Sequence, residues 1–521
     1  MLMNILRTLT KPISARLDAM GMYRVVSGGL LLLAGIAILF GFLGWIPYGG
    51  VELILSLVAT GSTAILGNIL FAKMWNVHAN HESAVITALI LFFLILPAQL
   101  SEWSYSLIII AVTFFAIASK YLLVWRKQHI FNPVATGLVA VAILYAFFPL
   151  PPGYFESGWW IGQPILFLPL VIVGAAVVSK VRKWTPVTTF LAVGFTVFLI
   201  EEWRFTGEFF SGWERFWLSG PSVFLAAFML TEPFTMPPTK KLQGWYGAAV
   251  GVLSQTTLLM PLVKMTPELA LLLGNALVYP WRLRRKLFLA LQSKQEIARD
   301  TWEFTFTKPD GLSLQAGQYL EWMLPHKQTD NRGERRYFTI ASSPTESVVR
   351  LALKCVENGS SYKDALARLD VGEQIIASQL AGDFLLPKNQ QEKLGFIAGG
   401  IGVTPFSSHI RYMQDTQRVH DTKLFYCVNT LSDLAFADDF AAAALVVPLE
   451  VIPVVAKQEV PYPAEEGFVT EEMLQKRAPD FKERHWYLSG PPPMVNAYDE
   501  LLKTAGVPAG QITKDFFPGL A

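Results

Sequence analysis

The chain has 521 residues, 52% of them hydrophobic, a mean hydropathy of +0.37 and a formal net charge of +2. That is too apolar for one water-soluble protein, and long enough for three or four domains at roughly 100–200 residues each. Near-neutral charge without a long basic run gives no sign of a nucleic-acid partner. The two cysteines, Cys355 and Cys427, are too few for an iron–sulfur cluster held by four thiolates, and the expectation is a pair of buried, reduced thiols. The first long apolar run starts near Val25 without a small-residue cleavage site, so no cleavable signal is expected. Charges are sparse up to Pro280 and dense beyond Arg282, which sets the main domain boundary.

A membrane-spanning helix needs about 20 mostly apolar residues. Ten such runs are expected, at 25–46, 51–72, 83–100, 104–124, 131–149, 163–180, 186–201, 216–231, 244–262 and 267–281. Lys and Arg fall mainly in alternate connections: Arg7, Lys11, Arg16, Arg24, Lys73, Arg126, Lys127, Lys180, Arg182, Lys183, Lys240, Lys241 and the Arg282–Lys286 cluster on one side, only Arg204, Arg215 and Lys264 on the other. This bias orients both termini, and the polar second half, toward the cytoplasm. The outer connections "PLPPGYFESGWW" and "EEWRFTGEFFSGWERFW" suit an interfacial aromatic belt. "ATGST" (59–63) reads as small-residue helix packing. Ionisable residues within the runs are almost absent, Lys120 and Glu52 lying near helix ends, so no charge-lined ion path is expected. Haem is not expected either: His78, His81 and His129 are the only histidines before residue 280, and all sit in connections.

"ESAVITALILFFLILPA" (82–98), "FNPVATGLVAV" (131–141) and "TEPFTMPPTKKLQGWYGAAVGVL" (231–253) resemble a polytopic membrane component of sodium-translocating NADH:quinone oxidoreductase (Nqr) and its counterpart in the Rnf complex. The likeness spans roughly residues 20–282. Prolines after Asn132 and Glu232 start or break helices, and backbone freed inside a membrane must line a cofactor or cavity. Asn132, Thr231 and Glu232 would then face a bound flavin; the open alternative is that the prolines only start or kink helices. In those relatives a Thr on the outer side carries covalent FMN. The matching stretch "PLPPGYFESGWWIGQP" has no Thr, which leaves a non-covalent FMN or riboflavin between the helices.

The second half changes pattern. "LFLALQSKQEIARDTWEFTFT" (287–307), "LSLQAGQYLEWML", "RRYFTIASSP" (335–344) and "VVRLALKCVENGSSYKDAL" (348–366) alternate like antiparallel strands separated by Gly and Pro turns, which suggests a small β-barrel. After about Pro387, "KLGFIAGGIGVTPFSSHIRYM", "KLFYCVN", "LEVIPVV" and "WYLSGPPPMVNAYDELLKTA" alternate buried strands with helical runs. That is the doubly wound α/β pattern, which takes ligands at the carboxyl ends of its strands.

"AGQYL", "RRYFTIASSP", "ENGSSYKDAL", "AGDFLLP", "GGIGVTPF" and "YLSGPPPMV" occur in this order, and the region 285–521 resembles the ferredoxin–NADP reductase superfamily. The resemblance implies FAD and NAD(P)H. Arg336 would pair with the flavin diphosphate; Phe338 stands where the family usually has Tyr against the isoalloxazine; Thr339 would hydrogen-bond near flavin N5. Gly359, Ser360 and Ser361 would meet the diphosphate at a helix start, and Lys354 lies on a strand beside the flavin. Gly399, Gly400 and Gly402 would let the backbone approach the dinucleotide phosphates, with Thr404 and Pro405 following. Ser489, where relatives often have Cys, would shape the nicotinamide pocket with Gly490 and Pro491, and Met494 would begin the next helix. At the C-terminus Leu520 stands where Tyr is expected, so that Phe516 or Phe517, or no residue at all, would cover the ring. "YCVNTLSDLAF" has no Arg or Lys for a 2′-phosphate, which leans toward NADH.

The expected fold is therefore multi-domain: a polytopic α-helical membrane domain of about ten helices (1–284), an antiparallel β-barrel FAD domain (285–388) and a doubly wound α/β NAD(P) domain (389–521). The expected function is a membrane NAD(P)H dehydrogenase of the cytoplasmic membrane. It would pass electrons from cytoplasmic FAD through a membrane flavin, without metal, to an extracytoplasmic acceptor protein. A quinone reductase, and an anchored reductase of a soluble cytoplasmic acceptor, are the alternatives.

Overall fold

The computed structural model describes residues 20–77, 79–99, 102–125, 128–148, 155–256, 265–281, 286–330, 332–356, 359–461 and 464–515. The expectations for His78, Lys264, Phe516, Phe517, Leu520 and the 282–285 cluster lie outside the described residues. The chain divides into two compact units, Met1–Lys286 and Leu287–Ala521.

Unit 1 is helical: α1 (Met22–Phe42), α2 (Gly50–Met74), α3 (His81–Leu94), α4 (Trp103–Leu122), α5 (Pro133–Phe147), α6 (Pro164–Val181), α7 (Trp184–Thr206), α8 (Trp213–Trp217), α9 (Ser222–Phe224), α10 (Lys240–Gln255) and α11 (Pro267–Val278). A two-residue hairpin, β1 (Val124–Trp125) and β2 (Gln128–His129), precedes α5. Among the described residues five helices, α1, α2, α4, α6 and α7, are long and apolar enough to cross a membrane. Their outer faces carry apolar side chains such as Leu32, Val58, Leu66, Leu168 and Ile172, all well exposed. Water would penalise such a surface, and hydrocarbon would not.

Helix starts follow local chemistry. Asn132 and Thr266 cap α5 and α11 by accepting from Ala135 N (3.1 Å) and Leu269 N (3.3 Å), and each is followed by proline at the first helical position. Two expected spans differ. The run 83–100 is helical only over α3, because Pro97 disfavours helix in the residue before it; the chain beyond is held by Ala98 N donating to Ser56 Oγ (2.7 Å). The run 216–231 is broken at Gly220–Pro221 and resumes as α9 followed by a π-helical turn, Leu225–Met229, buried throughout. The "ATGST" stretch lies within α2 and packs through Ala59 and Thr60, whereas a Cβ on Gly61 would meet open space. Close glycine packing occurs elsewhere. A Cβ on Gly137 would lie 2.6 Å from Val112 O, and one on Gly251 2.9 Å from Phe190 O.

Unit 2 contains two six-stranded sheets. The first holds β3 (Leu287–Ala298), β4 (Thr301–Thr307), β5 (Tyr319–Met323), β6 (Arg335–Thr339), β7 (Val348–Lys354) and β8 (Gln374–Ala381), with α12 (Ser361–Ala367) between the last two. Its order is β6-β5-β8-β3-β4-β7, all pairs antiparallel. Ala341 N donates to Arg350 O (2.9 Å) and so links the chain leaving β6 to β7 at the opposite edge.

The second sheet is wholly parallel. It contains β9 (Leu394–Gly399), β10 (Thr422–Val428), β11 (Leu449–Val455), β12 (Glu465–Glu466), β13 (His485–Ser489) and β14 (Ile512–Asp515), in the order β12-β11-β10-β9-β13-β14. Helices α13 (Thr404–Thr416), α14 (Ala437–Ala444), α15 (Glu471–Arg477) and α16 (Pro492–Thr504) alternate with these strands. Successive side chains of β9 point to opposite faces. Phe396 and Ala398 join the core that includes Phe406, Ile410 and Phe440, while Ile397 joins that of Trp486, Val495 and Leu502.

His409 of α13 fastens the two sheets. It is fully buried, donates from Nε2 to Phe384 O (2.9 Å) and stacks on the Phe384 ring at 5.6 Å. Burial pulls its imidazole down to about 4. The unfolded imidazole takes a proton below about 6.5, whereas the folded one resists until about 4, so the folded state loses stability as pH falls between those values. The His409→Gln variant keeps an N–H for the Phe384 carbonyl. It is expected to lose less stability than the parent across that window, by up to ~3 kcal/mol, read from thermal melts monitored by flavin release.

Candidate functional site

Strand order reverses between β9 and β13, and the first group of expected residues meets there. Ala398 of β9 lies beside Ser489 of β13, and both strands end within a residue or two. Gly400 takes φ +51, a left-handed conformation that suits glycine. A Cβ on Gly402 would lie 2.6 Å from Gly490 Cα and 2.7 Å from Ser489 O, so the two turns touch backbone to backbone. Met494 of α16 backs Gly399, Pro491 caps α16, and Pro405 occupies the first turn of α13. The Thr404 hydroxyl donates to Ile401 O (2.7 Å) within its own turn. Ser489 is 1% exposed, and its hydroxyl has no hydrogen-bond partner.

The second group sits at the end of β6 and the start of α12. Thr339 is 3% exposed and its hydroxyl also has no partner. Phe338 is half-buried, its ring 5.9 Å from that of Tyr362. Ser407 and Ser408 of α13 donate to the carbonyls of Ala341 (3.3 Å) and Ser342 (2.8 Å). They tie the strand carrying Thr339 to the helix that follows the glycine turn. Lys354 stands apart, its Nζ 3.2 Å from Asp433 Oδ1 beyond β10.

Arg336, Gly359, Ser360 and Ser361 do come together, around a residue that sequence reasoning missed. Asp330 accepts from the guanidinium nitrogens of Arg336 (3.0 Å) and Arg332 (3.2 Å). Arg332 also donates to Gly359 O (3.1 Å), and Ser361 Oγ accepts from Asp330 N (2.9 Å). Burial alone would raise the Asp330 carboxyl, but the Arg332 amide and the charges of Arg336 and Arg332 outweigh it and hold it below the usual range. In sequence, "HKQTDNRGERR" (326–336) is a charged stretch without period, and nothing in it signals a fold back onto α12. The two thiols are inert: burial pushes Cys355 up to about 11 and Cys427 up to about 12.

Unit 1 holds a second polar cluster. Asn132 Nδ2 donates to Glu232 Oε2 (2.9 Å), and His129 Nε2 lies 3.1 Å from Glu232 Oε1. Asn275 accepts from the Asn132 amide (2.8 Å) and donates to Tyr246 OH (2.8 Å). Asn132 and Asn275 are almost fully buried. The π-helical turn leads directly into Thr231 and Glu232, and such turns are frequent at functional sites. Thr231 takes no part, its hydroxyl donating to Ala227 O (2.8 Å). Asn275 and Tyr246 escaped sequence reasoning because neither stands in a motif or at a spacing that marks a site.

Buried hydroxyls without partners and a backbone cradle that any Cβ would fill are what bound dinucleotides require, so the residues of unit 2 fit FAD and NAD(P)H. Residues 289–384 match the oxidoreductase FAD-binding domain, and residues 396–500 the oxidoreductase NAD-binding domain. The reductase component of propane 2-monooxygenase from Rhodococcus jostii is 28% identical over 217 residues, 40% of this chain and 57% of that protein. A flavohemoprotein of Xylella fastidiosa is 29% identical over 207 residues, 39% of this chain and 51% of its own length. Among solved structures, an Amycolatopsis cytochrome P450 reductase matches with a TM-score of 0.40 at 24% identity, over 45% of this chain and 70% of that one. The chain thus spans little more than half the length of these curated relatives. Unit 2 carries an FAD-binding and an NAD-binding oxidoreductase domain, the pair that also matches the reductase component of propane 2-monooxygenase. Both matched domains belong to oxidoreductases that bind FAD and NAD.

Two glycine substitutions separate close approach from backbone conformation. Gly402→Ala drives a methyl into the Gly490 backbone and is expected to cost about 1–3 kcal/mol and to raise KM for NAD(P)H severalfold. Gly400→Ala meets no protein atom but a left-handed φ, and is expected to cost about 1 kcal/mol and, with its methyl in the space read as the diphosphate's, to raise KM as well. Thermal melts and steady-state ferricyanide reduction check both.

Proposed function

We propose that the protein is a membrane NAD(P)H dehydrogenase that moves electrons from the cytoplasm into, and across, the bilayer. The crevice between β9 and β13 would hold NAD(P)H: Gly399, Gly400 and Gly402 admit its diphosphate, and Ser489, Gly490 and Pro491 frame the nicotinamide. Arg336, Phe338, Thr339, Gly359, Ser360 and Ser361 would hold FAD, with the Thr339 hydroxyl turned to the ring. Bound FAD takes a hydride as an electron pair and can pass the electrons on singly.

The reading of unit 1 rests on one observation: a buried cluster of Asn132, Glu232, His129, Asn275 and Tyr246 inside an apolar helical unit. Polar groups are costly among lipid-facing helices and are retained where they bind something. We assign the cluster to a non-covalent FMN or riboflavin, as the likeness to the membrane components of sodium-translocating NADH:quinone oxidoreductase and the Rnf complex suggests. The five long apolar helices and the distribution of Lys and Arg support an inner-membrane location with unit 2 in the cytoplasm. The final acceptor is then an extracytoplasmic electron-carrier protein. Direct reduction of quinone in the bilayer is the second reading, favoured by the same cluster if it holds a quinone head.

Cofactor counting tests this reading. Full-length protein is expected to release FAD and a second flavin in equal amounts on acid treatment. Asn132→Ala and Glu232→Gln are expected to lower the second flavin at least severalfold while FAD content and NADH:ferricyanide activity stay near the parent values. Full-length protein with FAD alone, and no electron delivery to quinone or across a vesicle membrane, would leave only a tethered soluble dehydrogenase.

A further inference from the structure

The diphosphate donors expected from the sequence are all turned toward one short stretch of chain between β5 and β6. Arg336 NH1 donates to the carbonyls of Arg332 (2.7 Å), Gly333 (2.8 Å) and Arg335 (2.8 Å). Its NH2 reaches both oxygens of Asp330, at 3.0 and 3.3 Å. Arg332 contributes a guanidinium contact to Asp330 Oδ2 at 3.2 Å and a backbone N–H to Oδ1 at 2.8 Å. Ser360 Oγ adds a longer contact to Oδ2 at 3.4 Å. Ser361 Oγ is shared between Asp330 N and His326 Nε2, each at 2.9 Å. The face of Arg336 lies over the Tyr362 ring at 5.2 Å, which fixes the plane of the guanidinium.

Two cations and a hydroxyl therefore converge on a single carboxylate, an arrangement that also suits a phosphate oxygen. A diphosphate arriving at Arg336 and Ser360 brings like charge against Asp330 within hydrogen-bond distance. Either the carboxylate withdraws or the pair repel, and both cost affinity. We propose that Asp330 sets the affinity of this protein for FAD by competing, as an internal anion, with the FAD diphosphate for Arg336, Arg332 and Ser360. The inference rests on the reading that Arg336 and Ser360 hold the diphosphate. Loading of FAD exchanges one carboxylate for a diphosphate, and the Asp330 side chain moves away from Arg336 as it does so.

The test uses full-length protein in detergent, stripped of flavin and titrated with FAD by fluorescence quenching. Asp330→Asn keeps the shape and removes the charge, so FAD binding is expected to tighten roughly tenfold or more, the worth of the charge-assisted contacts no longer displaced. The stripped variant is expected to melt below the stripped parent, because Arg332 and Arg336 lose their counter-charge, and inorganic pyrophosphate is expected to restore more of that loss than it adds to the parent. FAD-loaded forms of the two are expected to melt alike. Weaker FAD binding by Asp330→Asn, with a lower melting point of the loaded form, would make Asp330 a support for Arg336 and overturn the proposal. The Arg336→Ala variant keeps the two ideas apart: unchanged FAD affinity there would displace the diphosphate from Arg336 and bring down the reading beneath, whereas a loss leaves that reading intact and the Asp330 result decisive.

Discussion

Strands β9 and β13 lie side by side and parallel, yet the chain leaves them toward opposite edges of the sheet: β10, β11 and β12 follow on one side, β14 on the other. No connection crosses the end of this pair, so a crevice opens at their carboxyl ends. The geometry at this end of the sheet depends on that gap staying narrow. It stays narrow because Gly402 and Gly490 present backbone to backbone, with no side chain to hold them apart. Ser407, Ser408 and His409 then lash the helix leaving the crevice to Ala341, Ser342 and Phe384, on the connections leaving β6 and β8. Thr339 is thereby set at a fixed place relative to the glycine turn.

The two units solve opposite solvent problems. Unit 2 buries Phe396, Ile397 and Trp486 and keeps its charges outside or paired, as a protein in water must. Unit 1 turns Leu32, Leu66 and Leu168 outward and packs its helices through glycine, with a Cβ on Gly137 or Gly251 running into the neighbouring backbone. In such a unit polar side chains still meet, as in the bonds joining Asn132 to Glu232 and Asn275 to Tyr246. They draw on four separate stretches of chain, and a π-helical turn delivers one of them. Local capping accounts for Asn132 Oδ1 alone; its Nδ2 and the remaining members require the tertiary packing.

Electrostatics in unit 2 is organised the same way, by pairing rather than by exposure. Glu321 is fully buried yet accepts from Arg335 (2.9 Å), Ser378 (3.0 Å) and Gln379 (2.9 Å), which holds β6, β5 and β8 in register. Asp330 does for the β5–β6 connection what Glu321 does for the strands. The difference is that Asp330 is a quarter exposed, where Glu321 is fully buried.

Sequence alone determined the features that repeat with a period or recur as an ordered motif. Long apolar runs announced the helices of unit 1, alternation announced the strands, and the glycine run after a fully buried strand announced the sharp turn between β9 and α13. These are local properties, set by side-chain spacing and backbone freedom over a few residues. Tertiary structure alone decided which residues separated by tens of positions would share a site. It broke the run at 216–231 where Gly220 and Pro221 interrupt it, turned Gly61 away from any helix, took Lys354 to Asp433, and left Thr231 bonded to its own helix. It also brought in Asp330, Arg332, Asn275 and Tyr246, which no spacing marks. The physical reason is that a hydrogen bond or ion pair depends on distances of about 3 Å, and between remote stretches only the packed fold sets those.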